Sequence, residues 1–137
     1  LLQSFKDYYY GYESVDGKPM PGYVDMVEDL NNKFPLSDPQ IVGEQNQKDF
    51  IALFGAILRM RNLLLSFDEF KGNELISERD LQDYLGRYQD LRDEWKRKRQ
   101  ESTDITDDVV FEIELIRQIE INIDYILMIP IAKTRKF

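Results

Sequence analysis

The sequence has no cysteine and no histidine. Without cysteine there is no disulfide framework, no thiol nucleophile and no thiolate metal site. Without histidine the usual neutral-pH acid/base group and the commonest transition-metal ligand are missing. Zinc fingers, zincins and Ser-His-Asp triads are therefore excluded, and carboxylates are left as the main candidates for site chemistry. Glycine is sparse: Gly11, Gly17 and Gly22 make no dinucleotide fingerprint, and no Walker-type phosphate loop is present. Long apolar runs are lacking too. The stretch from Ile126 to Ala132 is too short to span a membrane, and neither a signal peptide nor a basic leader is visible. Positive charge is the scarcer sign, with 18 Lys plus Arg against 26 Asp plus Glu, a net charge of -8. A purely electrostatic nucleic-acid binder is expected to be basic. The lack of cysteine fits a cytoplasmic protein. The chain opens on Leu1-Leu2, not Met, and reads as a cut into a longer polypeptide.

What remains is enough for one folded domain: 137 residues, 42% hydrophobic and 32% charged. Charge is unevenly spread. Residues 1–45 carry 3 basic and 8 acidic groups, residues 46–100 carry 11 and 10, and residues 101–137 carry 4 and 8. Residues 1–21 hold Phe5 and the aromatic cluster Tyr8, Tyr9, Tyr10 and Tyr12, then turn signals at Asp16-Gly17 and Pro21-Gly22. They are expected to form an extended or irregular arm with one helical turn at its start. Tyr23, Val27 and Leu30 share a helical face, predicting a short helix from Tyr23 to about Lys33 that Pro35 ends. The strongest helix is predicted from Glu44 to Phe67. Its stripe of Phe50, Leu53, Phe54, Ile57, Met60 and Leu64, widened by Ile51, Leu58 and Leu65, suits a central helix. Ser77 is a candidate cap for a helix running to about Arg99, with Leu81, Tyr84, Leu85, Tyr88, Leu91 and Trp95 on its buried face. The segment from Asp107 to about Ile129 fits both alternation and a helical stripe. A strand of that length is improbable, so a long helix is expected, capped at Asp104 or Thr106. The resulting fold class is all-α, an irregular bundle of about four helices with an aromatic-rich amino-terminal arm. The boundaries are 1–21 for the arm, 22–133 for the helical domain and 134–137 for a tail.

Four groups are candidate sites. Asp68, Glu69, Glu74, Glu78 and Asp80 form an acidic turn of the kind a hard cation would want, but their spacing matches no calcium loop and suits a solvated helix start. Glu112, Glu114, Glu120, Asn122 and Asp124 interrupt an apolar segment. Buried carboxylates need partners, and Arg59, Arg61 and Arg117 are the expected cations of a structural ion-pair network. The tyrosine cluster could stack on bases or anchor a protein contact; its acidic neighbours favour packing. Lys96, Arg97, Lys98 and Arg99, with Arg92, could meet phosphates, or be a solvated helix end favoured by the helix dipole. No residue stands out as catalytic, cofactor-binding or metal-binding.

Seven strings carry a family resemblance: FKDYYYGY (5–12), PGYVD (21–25), FIALFGAILR (50–59), FDEF (67–70), SERDLQDY (77–84), DVVFEIELI (108–116) and INIDYIL (121–127). Together they resemble the carboxy-terminal helical region of the restriction (R, motor) subunit of type I restriction-modification enzymes, of the EcoR124-like group. The resemblance covers nearly the whole chain and rests on collinear segments, none of them a mechanistic motif. It implies a large cytoplasmic parent with a magnesium-dependent nuclease domain and two ATP-using helicase-like domains upstream. A helical domain follows, with a tail that helps attach the subunit to the methyltransferase core. It also implies methyltransferase and specificity subunits as partners, and duplex DNA as a substrate of the parent. Catalytic residues, ATP and magnesium would lie outside this stretch, and the stretch itself would brace the motor or dock it. A different class of reading is a stand-alone helical DNA-binding or DNA-mimicking module; a blander one is an interdomain brace with no intermolecular surface.

Overall fold

The computed structural model describes residues 2–38, 40–101 and 107–134, with side chains in the last helix over residues 110–123. The chain forms α1 (Leu2–Tyr10), a two-stranded ribbon of β1 (Gly11–Glu13) and β2 (Pro19–Pro21), then α2 (Tyr23–Lys33), α3 (Glu44–Leu64), a single 3-10 turn (Asp68–Phe70), α4 (Glu78–Glu101) and α5 (Asp107–Thr134). It is an irregular all-helical bundle with an aromatic-rich amino-terminal region.

Helix α3 is the hub. It packs against α2 on one side and against α4 and α5 on the other. Its wide stripe is why: Phe50, Phe54, Ile57 and Leu64 are fully enclosed, with Ile51 and Leu58 nearly so. Phe50 and Phe54 stack at 5.6 Å, and Tyr88 of α4 meets Phe54 edge-on at 5.1 Å. All six residues expected on the buried face of α4, from Leu81 to Trp95, are buried. The Ser77 hydroxyl accepts from the Asp80 N–H at 3.1 Å, so α4 has the predicted cap. Arg87 reaches from α4 to the carbonyl oxygens of Phe34, Pro35 and Leu36, which fixes the connector that Pro35 opens.

Two expectations need correction. The amino-terminal arm is not irregular. It is a nine-residue helix followed by an antiparallel ribbon in which Tyr12 lies opposite Met20. Phe5 and Tyr9 are four apart, so they stack on one face of α1 and enter the common core beside Phe67 and Phe70. Helix α3 stops at Leu64, three residues short of the expected end. Phe67 adopts extended backbone (φ -101, ψ 131) and turns its ring toward Phe5 and Tyr8. A helical Phe67 would have stayed on the α3 stripe. The expected caps Asp104 and Thr106 lie outside the described residues. So do residues 135–137 of the predicted tail.

Candidate functional site

The carboxylates of α5 fall into a buried set and an exposed set. Glu112 lies on the stripe that α5 shares with Ile116, Ile119 and Ile123, so the helix carries it inward, where its side chain is 4% exposed. Arg99 of α4 places Nη1 against Glu112 Oε2, and Lys48 of α3 brings Nζ to 3.9 Å from Oε1. This is a triad drawn from three helices. Arg99 Nε is buried without an acceptor, so no bidentate fork forms. Beneath it Trp95 donates from Nε1 to Gln47 Oε1 at 2.9 Å, and both Lys48 and Lys98 sit over the indole, at 5.7 and 5.8 Å. About two turns of α4 before Trp95, Asn122 Nδ2 donates to the Tyr88 hydroxyl at 3.2 Å. Gly55 makes room for it: a Cβ there would lie 3.0 Å from that hydroxyl and 3.2 Å from Asn122 Nδ2. Burial is the main reason the Tyr88 phenol is held above the usual tyrosine range; the Asn122 bond and the Arg59 charge pull the other way.

The expected ion-pair network therefore exists, but largely with other cations. Glu112 uses Arg99 and Lys48, Glu120 uses Lys96, and only Glu114 meets an expected partner, Arg117, at 3.8 Å. Neither Arg59 nor Arg61 reaches these glutamates among the described residues. The side chain of Asp124 lies outside the described residues. The same pairs account for most of the basic run. Lys96 meets Glu120, Arg99 meets Glu112, and Lys98 lies 3.8 Å from Glu94. Three of the four cations are turned to carboxylates of α4 and α5, which lowers the potential available to a phosphate.

The tyrosine cluster divides by helical position. Tyr9 is buried, stacked on Phe5 and edge-on to Phe70, and donates to the Asn73 carbonyl oxygen at 3.2 Å. Tyr8 is half-buried against Phe67, whereas Tyr10 and Tyr12 are 63% and 47% exposed. The structure brings the cluster no basic platform; it makes half of it core. The acidic turn is spread along exposed surface, with Asp68 paired to Lys71 at 3.1 Å. Among the described residues no three His, Cys, Asp or Glu side chains come close enough together to hold a metal ion. No helix among them is long and apolar enough to cross a membrane.

Outward, α5 shows a different chemistry. Val110, Phe111, Ile113 and Ile121 are all exposed, Phe111 at 57%. Spacings of three and eleven place Val110, Ile113 and Ile121 on one stripe of the helix. Leu63 of α3 is exposed as well, and with Ile121 and Leu58 it lines an open groove of about 370 Å³ between α3 and α5. Sequence reasoning missed Gln47, Lys48 and Gly55. Gln47 carried a signal: it precedes Phe50, Phe54 and Leu58 on their stripe, and a polar residue on an apolar stripe asks for a buried partner.

Comparison with known proteins agrees with these segments. The family described as "Type I restriction and modification enzyme - subunit R C terminal" matches residues 1–136. A curated relative, the type I restriction enzyme SsaAORF53P endonuclease subunit of Staphylococcus saprophyticus, is 35% identical over 98 residues, covering 68% of this chain and 10% of the relative. The chain thus spans about a tenth of the length of that relative. No solved structure matches.

Proposed function

The chain belongs to the family of carboxy-terminal regions of type I restriction-enzyme R subunits, and on that premise we propose that it is a non-catalytic helical region that braces the motor and docks it to the methyltransferase core. The observation that carries the docking role is the outward face of α5. Soluble domains rarely leave contiguous apolar surface uncovered, and such faces mark interaction sites. Here an exposed phenylalanine and three exposed β-branched residues follow one helix, with the exposed Glu114–Arg117 pair set among them. The rigid anchoring of α5 by the Glu112 triad and the Tyr88–Asn122 bond supports the bracing role, since a docking helix transmits load only if its inner face is fixed. In this reading residues 1–21 enter from upstream domains and 134–137 lead on. No catalytic, metal-binding or cofactor-binding role falls to the described residues in this reading. Endonuclease activity and ATP-driven DNA translocation, with ATP and magnesium, belong to other domains of the parent. The specificity subunit and duplex DNA are engaged through the assembled enzyme in the cytoplasm.

The reading as a stand-alone DNA-binding module is weaker, because Lys96, Lys98 and Arg99 are already occupied by carboxylates. The test uses the full-length R subunit with Phe111→Glu and Ile121→Glu. Sedimentation with the methyltransferase complex is expected to show at least about tenfold weaker assembly, as loss of a central aromatic anchor gives, with the helical circular dichroism unchanged. Undiminished assembly would remove α5 as the docking face.

A further inference from the structure

A groove of about 610 Å³ lies away from α5, between α2 and α3. Its floor is apolar. Met26 and Phe34 close the bottom, and Leu53, Ala52 and Ala56 form the α3 wall. Ala52 and Ala56 are one helical turn apart, so that wall is low and a second backbone can come close. The α3 side of the groove runs from Asp49 to Ala56, about two turns of helix, or roughly 10 Å.

The rim is acidic. Asp25, Asp29 and Asp49 stand along the groove, against the single cation Lys33. Lys33 is held to Asp29 at 3.2 Å. Lys48, the nearest other cation in sequence on α3, faces the opposite side and is occupied by Glu44 and Glu112. Asp25 accepts from the Gly22 N–H at 3.1 Å, and Asp49 from Gln45 at 2.9 Å, so two of the three carboxylates have no cationic partner among the described residues.

We infer that the α2–α3 groove is a docking site for a basic amphipathic helix of a protein partner. A helix with an apolar stripe about two turns long fits the floor in the helix-in-groove mode. Lysine or arginine flanking that stripe would meet Asp25, Asp29 and Asp49, burying aliphatic stems on the floor while the charged heads stay at the rim. A second copy of this chain is a poor occupant, because each copy carries a net charge of -8. The inference stands on this groove alone and does not depend on α5 as the face that meets the methyltransferase core.

The experiment places a photo-crosslinking benzoylphenylalanine at Ala52 of the full-length R subunit in the reconstituted type I enzyme, with crosslinked peptides sequenced by mass spectrometry. The expected product is a segment with lysine or arginine beside apolar residues spaced three and four apart. Adding Asp29→Lys with Asp49→Lys should cut the yield about tenfold. The milder Asp29→Asn with Asp49→Asn should cut it less, and Glu13→Lys with Asp83→Lys, which change net charge equally, should leave it unaltered. A crosslink to an acidic segment or to a second copy overturns the inference. So does no crosslink at all, or an equal loss in the control pair. Because the Phe111→Glu variant reports on α5 separately, failure here leaves that reading intact, and the reverse also holds.

Discussion

Glu112 shows how a single buried charge can be tolerated without being a reactive site. Its carboxylate is enclosed, so it must be paired, and Arg99 and Lys48 supply the pairing from two other helices. A buried pair returns little net stability, since desolvation offsets most of the attraction, but breaking it from one side is costly. Arg99 keeps 24% of its side chain in water. That exposure reduces the penalty for orphaning it below the about 3–5 kcal/mol of a fully buried pair, to about 2 kcal/mol. Glu112→Leu is therefore expected to lower stability by about 2 kcal/mol, and Glu112→Leu with Arg99→Met to recover most of that loss. Urea denaturation followed by fluorescence of the single tryptophan, Trp95, reads both, because the indole lies beside the triad. A double variant as unstable as the single one would show that the pair holds the helices together by attraction. The carboxylates were visible in the sequence as interruptions of an apolar segment. Their partners were not, because pairing depends on which face of α4 and α3 meets α5, and Arg99 and Lys48 are 13 and 64 positions away.

At the scale of elements, α2, α4 and the extent of α3 from Glu44 were legible because period, cap and breaker agreed: Tyr23, Val27 and Leu30 before Pro35, and Ser77 before Leu81. The amino-terminal helix was not. Tyr8, Tyr9 and Tyr10 carry no clear period, and their helicity comes from tertiary packing of Phe5 and Tyr9 on Phe67 and Phe70. What allows that packing is Gly22. Its backbone is ordinary extended geometry (φ -93), so conformation does not demand glycine there. Space does: a Cβ would strike the backbone of Gly11 and Tyr10 and come within 2.6 Å of the Tyr9 carbonyl oxygen. Gly72 is the converse, with φ +83 and open space around it. Gly22→Ala is expected to cost about 2–4 kcal/mol by forcing α1 and the ribbon off α2, while Gly72→Ala costs only the left-handed penalty of about 1–2 kcal/mol. Amide hydrogen exchange should show α1 losing protection in the first variant and keeping it in the second. Equal protection of α1 in both would mean that the Gly22–Gly11 approach does not position the arm.

The whole molecule is bound together by buried phenols, and this gives it a pH limit on the alkaline side. Burial is the largest cause holding Tyr9, Tyr23, Tyr84 and Tyr88 above the usual tyrosine range. Around Tyr23, Glu74 and Tyr9 push the same way and Arg61 opposes them; around Tyr84, Asp80 adds and Arg87 opposes. Three of the hydroxyls also donate across the fold, Tyr9 to the Asn73, Tyr23 to the Glu74 and Tyr84 to the Phe34 carbonyl oxygen, whereas Tyr88 accepts from Asn122 and is kept neutral by burial. The neutral phenol is thus the form the native state holds. Below about pH 10 native and unfolded chains both keep these protons, and the contribution is fully present. Above it the unfolded chain releases protons that the native state retains. Stability then falls as pH rises, by about 1.4 kcal/mol per pH unit for each proton so retained, until the folded phenols themselves ionise. Tyr23, Tyr84 and Tyr88, enclosed almost completely, should dominate that slope. Urea midpoints by circular dichroism are expected to drop steeply above about pH 10, and Tyr23→Phe, which removes the titrating proton, should make the drop shallower. A full set of tyrosines ionising together at about pH 10 in the folded protein, seen by ultraviolet difference titration, would contradict the enclosed geometry of all four rings.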